Sequence, residues 1–478
     1  MELWPYLAGG VVALLAVSAS AHAILTQRNV GTAIAWVGVI WLSPVVGMVV
    51  YLLLGINRIH RDASQIRADA ARYEATSDLP HQRADALAEE LGPEHGHLAM
   101  VARLGDRLIN RPLLPGNLIV PLLGGDQAYP EMLAAIRAAR HSVALATYIF
   151  DNDRAGSQFL EALKDAVARG VEVRVLIDDM GARYSFPSMV KALRREEIPV
   201  ARFLRTAVPW RTRFFNLRNH RKIMVVDGRV GFTGGMNIRE GSWLELQPKH
   251  PTRDIHFRVE GPVVAELQEV FAEDWTFTTR ERLQGNAWFP PLTVRGETSA
   301  RGLSDGPDVD FEKLQGMILG ALSAARRSVR IVTPYFIPSP ELLTLLNLAA
   351  MRGVDVQIML PQKSNLPLVQ WASTAYWAQL LEKGCSIRLT APPFDHGKLM
   401  LVDGCWVLLG SANLDPRSLQ LNFEFNVECY DRSLAEDLGA WVAEREAGSR
   451  EVTLAELRRR PLPSKLRDGL ARLLSPYL

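Results

Sequence analysis

A length of 478 residues is enough for two domains of ordinary size. Lys and Arg total 54 against 52 Asp and Glu, a balance that does not suggest a nucleic-acid binder. The three cysteines, Cys385, Cys405 and Cys429, are scattered through apolar surroundings. They have no metal-ligand spacing and require no oxidising compartment, which leaves them as core residues.

From the N-terminus, Leu3 to Thr26 and Gly31 to Asn57 contain no charged residue. Each exceeds the roughly 20 apolar residues with which a helix crosses a bilayer. The small residues Ala19 to Ala23 would suit a secretory signal. Met1-Glu2, however, offers no Lys or Arg of the kind that opens a signal, and a second apolar stretch follows at once. A transmembrane two-helix hairpin is therefore expected over residues 1–57. The connection between the spans carries only Arg28, whereas Arg58, His60, Arg61, Arg67 and Arg72 follow the second span. Positive charge favours the cytoplasmic side, which places both termini and everything downstream there. Residues 58–112 read as a juxtamembrane linker. From about Asp62 to Arg111 the chain is charged, Ala-rich and helical in pattern, a tether with little chemistry.

Beyond the linker the chain repeats itself. Ala138-Ala-Arg-His-Ser-Val143 returns as Ala324-Ala-Arg-Arg-Ser-Val329, and Thr147-Tyr-Ile-Phe150 as Thr333-Pro-Tyr-Phe336. Ala168-Arg-Gly-Val-Glu-Val173 returns as Met351-Arg-Gly-Val-Asp-Val356. Each half thus opens helix, strand, helix, strand, with Arg-Gly stopping a helix before the second strand. Alternating strands and helices predict right-handed crossovers and a mostly parallel sheet covered on both faces. The expected fold class is α/β: two pseudo-symmetric αβα domains, 113–283 and 311–478, packed with their histidine-bearing strands at the interface. Between them, 284–310 collects Pro, Gly, Ser and Asp as a linker.

Arg202, Arg205, Arg211, Arg213, Arg218 and Arg221 are interleaved with Trp210, Phe214, Phe215 and Leu217. Such a mixture binds nucleic acid or an anionic bilayer, or is a solvated loop with a few buried aromatics. A hairpin on the same chain favours the bilayer. Each half then carries His-x-Lys-x-x-x-x-Asp, at His220-Lys222-Asp227 and His396-Lys398-Asp403. Apolar strands follow, and Gly-rich turns end at Asn237 and Asn413. Alternate strand residues share a face, so each His projects with its Lys. One site built by two halves is expected. The tail from Leu454 sets Arg458 to Arg460, Lys465, Arg467 and Arg472 among Leu466, Leu470, Leu473 and Leu474. It is either an interfacial helix or a helix docked on the second domain.

The paired motifs resemble the phospholipase D superfamily, and within it the bacterial cardiolipin synthases. The resemblance covers essentially the whole chain: the hydrophobic hairpin, Tyr148-Ile-Phe with Asp153 nearby, Asn219-His-Arg-Lys-Ile, Thr233-Gly-Gly-Met-Asn-Ile, Arg253-Asp-Ile-His, Thr333-Pro-Tyr-Phe-Ile-Pro and Ser411-Ala-Asn-Leu-Asp-Pro-Arg-Ser. It implies a multi-pass protein of the bacterial inner membrane, with its catalytic domains on the cytoplasmic side. The implied reaction transfers a phosphatidyl group between two phosphatidylglycerols, giving cardiolipin and glycerol. A phosphodiester repels nucleophiles, so cleavage needs cations on its oxygens, a nucleophile and an acid for the leaving alcohol. Lys222 and Lys398 supply the charge, and Asn237 and Asn413 supply neutral donors. One imidazole attacks to form a phosphohistidine while the other protonates the leaving oxygen; analogy with the superfamily makes His220 the nucleophile and His396 the acid.

An acid follows each motif, Asp254 in the first half and Glu424 in the second, and the resemblance gives both the task of orienting a histidine. It counts Asp227 and Asp403 with the catalytic motif but as mainly structural, which their turn positions also suggest. His256 has Asn426 where a counterpart would stand, so it reads as a pocket or packing residue, and Arg253 could contact a second phosphate. No His, Glu and Asp cluster has metal spacing, so neither metal nor other cofactor is expected. The expected partners are anionic phospholipids and the bilayer, with no nucleic acid. A phospholipase D hydrolase using the same residues, or a phosphodiesterase or nuclease, are the alternatives; the hairpin argues against a polymer groove.

Overall fold

The structure, a computed structural model, describes residues 4–27, 30–54, 73, 75–76, 79–205, 217–308 and 310–475. Arg28, the basic residues from Arg58 to Arg72, and Trp210 to Phe215 lie outside the described residues. The chain divides into two compact units, 1–69 and 70–478.

In the smaller unit the first apolar stretch is one helix, Trp4–Thr26. The second is two, Val30–Leu42 and Pro44–Leu54. The break falls at Ser43, the residue whose helical conformation the ring of Pro44 disfavours. Among the described residues, Tyr6–Thr26 is the helix long and apolar enough to cross a membrane. His22 Nδ1 meets the Tyr51 hydroxyl at 2.7 Å, and Trp36 packs edge-on to Tyr51. Most other large side chains of the unit, Leu14, Leu25 and Leu42 among them, face outward.

In the larger unit the first half contributes β1 (Leu114–Leu123), β2 (Ser142–Thr147), β3 (Glu172–Asp178), β4 (Val200–Phe203), β5 (Arg218–Asn219), β6 (Ile223–Val226), β7 (Val230–Gly234), β8 (Thr252–Arg253) and β9 (Ile255–Glu260). The second contributes β10 (Thr298–Asp305), β11 (Ser328–Val332), β12 (Asp355–Pro361), β13 (Ser386–Thr390), β14 (Phe394–Asp395), β15 (Leu399–Val402), β16 (Trp406–Gly410), β17 (Asn422–Tyr430) and β18 (Ser449–Glu451). All but three lie along one continuous sheet, ordered β18-β13-β12-β11-β15-β16-β17-β10-β1-β9-β7-β6-β2-β3-β4; β5 pairs with β17 off this path, and β8 and β14 form a separate two-stranded sheet. Outward from the β10–β1 seam the halves match strand for strand, β1-β9-β7-β6-β2-β3-β4 against β10-β17-β16-β15-β11-β12-β13. This is the expected pseudo-symmetry, carried by one sheet.

The sheet is mixed rather than mostly parallel. Only β2-β3-β4 and β11-β12-β13 run parallel along this path. Their crossover helices, such as Arg154–Ala168 and Pro340–Met351, stop before Gly170 and Gly353, whose φ of 86° and 91° suit glycine. The strands after each histidine motif instead fold back as the hairpins β6–β7 and β15–β16. Asp227-Gly228 and Asp403-Gly404 turn those hairpins with left-handed backbone.

Two stretches expected as connectors are structural. Residues 284–310 contain β10, paired on both sides and buried throughout. Its polar composition disguised it: the Arg301 guanidinium is buried and bonds Glu428 at 2.7 Å and Asp106 at 2.8 Å. In the expected tether, helices Ala84–His95 and Ala99–Leu108 bury Leu87, Leu91, Val101 and Ala102 in the core of the second half.

Candidate functional site

The site is positioned by two short inter-half pairings. β5, just before His220, runs parallel to the start of β17, with Asn219 opposite Phe423. β14, just before His396, runs parallel to β8, with Asp395 opposite Arg253. Continuing each register by one residue sets His220 beside Glu424 and His396 beside Asp254. The backbone closes both junctions: His220 N–H donates to Phe423 O (2.9 Å) and His396 N–H to Arg253 O (2.7 Å).

The consequence is a crossed arrangement. His220 Nδ1 lies 2.9 and 3.0 Å from the two Glu424 oxygens, and His396 Nδ1 lies 2.7 Å from Asp254 Oδ2. Each half's acid therefore holds the other half's histidine. Glu424 also accepts from Ser411 Oγ (2.5 Å) and Asn422 Nδ2 (3.1 Å), and Asp254 from the Ile255 N–H (2.8 Å). Burial alone would raise both carboxyls, but the facing imidazoles, lysine charges and these hydrogen bonds hold both below the usual range. With Nδ1 committed to a carboxylate, Nε2 is the ring nitrogen left for chemistry; in His396 it lies 3.1 Å from Lys398 Nζ.

Both histidines line one cavity of about 430 Å³, together with Asn237, Asn413, Arg218 and Arg417. Asn237 spends its amide oxygen on the Ile149 N–H (3.0 Å), and Asn413 Nδ2 reaches Ser418 Oγ (3.1 Å). Lys222 and Lys398 are buried, each Nζ 2.6 Å from the carbonyl of its own motif histidine. Burial pushes Lys222 down to about 7, with Lys398 contributing, and pushes Lys398 down to about 8. Burial also lowers both imidazoles, His396 to about 4. Neither lysine lines the cavity itself; each lies against its motif histidine, where burial weakens its hold on a proton.

An anion entering this site would restore the lysine protons. Sulfate, which does not itself titrate near neutrality, should bind with uptake of about one proton at pH 8 and lose affinity as pH rises further. Calorimetry in buffers of different ionisation enthalpy measures that uptake; binding without it would place the anion away from the lysines.

Asp227 and Asp403 stand outside the cavity. Asp227 accepts the N–H groups of Arg140, His141 and Ser142 at 2.7–3.1 Å. Asp403 accepts those of Arg326, Arg327 and Ser328 and contacts His97 Nε2 at 2.8 Å. Asp227→Ala should cost about 1–3 kcal/mol by stranding backbone donors. The rate per folded molecule should persist, read by denaturant unfolding beside turnover. His256 is buried and absent from the cavity wall; Gly234 is the close neighbour of its ring. Arg253 lines a separate cleft with Leu123, Asp126 and Trp441.

Sequence reasoning assigned no role to several residues here. Tyr148 and Tyr335 set their rings edge-on to His220 (5.3 Å) and His396 (6.3 Å). The repeated Thr-Tyr and Thr-Pro-Tyr strand ends were the available signal. Arg417 and Asp415 lie in the Asn-Leu-Asp-Pro-Arg run, and burial raises the Asp415 carboxyl to about 7.

A family model described as "Cardiolipin synthase, PLD-like domain" matches residues 132–275 and 318–445. One described as "Phospholipase_D-nuclease N-terminal" matches residues 14–55. Cardiolipin synthase A of Pseudomonas putida is 33% identical over 99% of this chain and 99% of its own. Cardiolipin synthase of Geobacillus kaustophilus is 31% identical over 95% of this chain and 90% of its own. Among solved structures, phosphatidylserine synthase from Haemophilus influenzae shares the fold, with a TM-score of 0.60 at 16% identity over 79% of this chain and 100% of that one.

Proposed function

Because the chain belongs to the cardiolipin synthase family of phospholipase D-like phosphatidyltransferases, we propose that it joins two phosphatidylglycerols into cardiolipin, releasing glycerol, through a phosphatidyl-histidine intermediate. The observation that carries this reading is the crossed pair of histidine–carboxylate contacts opening on one cavity. Two imidazoles with matched orienting acids suit two successive displacements on one phosphorus.

The resemblance assigns the attack to His220. Its Nε2 forms a bond to phosphorus as the bond to the departing glycerol oxygen breaks, and His396 gives that oxygen a proton. The terminal hydroxyl of a second phosphatidylglycerol then loses its proton to His396, attacks phosphorus and breaks the phosphorus–nitrogen bond. Glu424 and Asp254 keep the Nδ1 protons in place and stabilise each imidazolium in turn. Lys222 and Lys398, with Asn237 and Asn413, hold the phosphoryl oxygens. The anionic phosphate favours the protonated form of His396, offsetting the burial that lowers it.

A bilayer supplies the second alcohol at high local concentration. The N-terminal unit serves that purpose as a hairpin crossing the bacterial inner membrane twice, its second limb being the paired helices Val30–Leu42 and Pro44–Leu54. Arg58, Arg61, Arg67 and Arg72 after it favour a cytoplasmic catalytic unit.

The test is purified protein reconstituted with phosphatidylglycerol as the sole lipid, with products resolved by mass. Cardiolipin and glycerol in equal amounts are expected. Phosphatidic acid in their place would make the protein a hydrolase, and turnover only after adding phosphatidylethanolamine would change the donor.

A further inference from the structure

The C-terminal helix Leu462–Leu473 covers one of its faces and leaves another bare. It packs on helix Pro367–Leu381, where Ala471 joins Ile337, Val369 and Ala372 in a small apolar cluster. Buried Asp468 is held by Arg460 (2.5 Å) and Arg467 (2.8 Å), and the Arg467 guanidinium lies 4.5 Å from the Trp371 ring centre. On the opposite side Leu462, Leu466, Leu470 and Leu473 are 67, 58, 64 and 70% exposed. Spacings of four, four and three residues place all four on one side of the helix. Docking uses none of these leucines, so an aqueous environment gives no reason for such a row.

Its location ties the row to the site. Helix Pro367–Leu381 also walls the catalytic cavity, through Val369 and the preceding Leu366. Leu366 and Leu368 are exposed, and so are Tyr184, which lines the same cavity, and nearby Phe186. We infer that the leucine face inserts into an anionic bilayer surface and seats the cavity mouth against lipid. Residues 454–475 carry six Lys and Arg against two Asp and Glu. That excess complements an anionic surface and opposes a second copy of itself. The inference rests on the proposed function only in taking the substrates to be bilayer lipids.

The test uses the full chain reconstituted in vesicles. The native cysteines are buried, so an environment-sensitive label would go to Leu470→Cys, with Glu161→Cys as the exposed comparison. In phosphatidylglycerol vesicles the label at 470 should be quenched by doxyl lipid chains. It should also be at least about threefold less accessible to aqueous iodide than the label at 161, and the difference should shrink in phosphatidylcholine. Equal accessibility overturns the inference; shielding from iodide without doxyl quenching also overturns it, in favour of a second copy. Neither readout needs turnover, so a failure of the proposed reaction is separately visible. The double variant Leu466→Asp, Leu470→Asp should lose about tenfold in transfer from vesicles and less than about twofold from detergent-dispersed lipid. Equal losses in the two would remove the link to the site.

Discussion

Alanine at His220 or at His396 is each expected to reduce phosphatidyl transfer by roughly 10⁴-fold or more, and combining the two should add little. The non-additivity follows from the geometry. The two rings come from different halves yet line one cavity, and a complete transfer requires both of them. Two independent half-sites would instead leave each single variant with about half of the rate. Folding should survive, because each ring is partly open to the cavity and the buried contacts beneath it are made by other side chains. Those contacts include Arg221 to Asp274 at 2.7 Å and to Ser304 at 2.6 Å. Lipid products resolved by mass, with thermal unfolding as the control, decide the matter. Near-normal transfer in either single variant would end the shared-site reading.

The paired motifs are legible in sequence because their chemistry interrupts strongly apolar strands. His220 and Lys222 precede Ile223 to Val226, and His396 and Lys398 precede Leu399 to Val402. Periodicity also identifies the crossover helices and their Arg-Gly stops. What spacing cannot show is which acid meets which histidine. That depends on β5 against β17 and β8 against β14, two-residue contacts between segments some 200 and 140 positions apart. β10 is hidden for a different reason. Its centre is Arg301, a residue that sequence patterning places in solvent, but Glu428 and Asp106 neutralise it in the interior. The strand directions follow from the hairpins after each motif, and these outvote the helical crossovers in the sheet as a whole. For the helices before the catalytic halves, Leu87 and Leu91 four residues apart were a usable sign of a buried face. High charge and alanine content obscured it.

The crossing also gives the acids distinguishable phenotypes. Glu424→Gln removes the charge behind His220, and Asp254→Asn removes the charge behind His396, each with little change in size. Either should lower steady-state transfer by about 10²–10⁴-fold, the range over which an orienting carboxylate supports an imidazole. The difference appears in a single turnover. If His220 is the nucleophile, Glu424→Gln should suppress formation of the phosphatidyl-histidine. Asp254→Asn weakens His396 as the base of the second step, so in the presence of substrate the adduct should persist, and His396→Asn should exaggerate the same effect. Trapping at mildly alkaline pH, where a phosphohistidine survives, followed by peptide mass analysis reads out both the amount and the position. An adduct on the peptide holding His220, abundant with Asp254→Asn and scarce with Glu424→Gln, is the expected pattern. Pairing of each acid with the histidine of its own half would exchange the two phenotypes. An adduct on His396 would reverse the roles of the rings while keeping the crossing. Inversion at phosphorus in wild-type turnover would remove the intermediate altogether, since two in-line displacements return the original configuration.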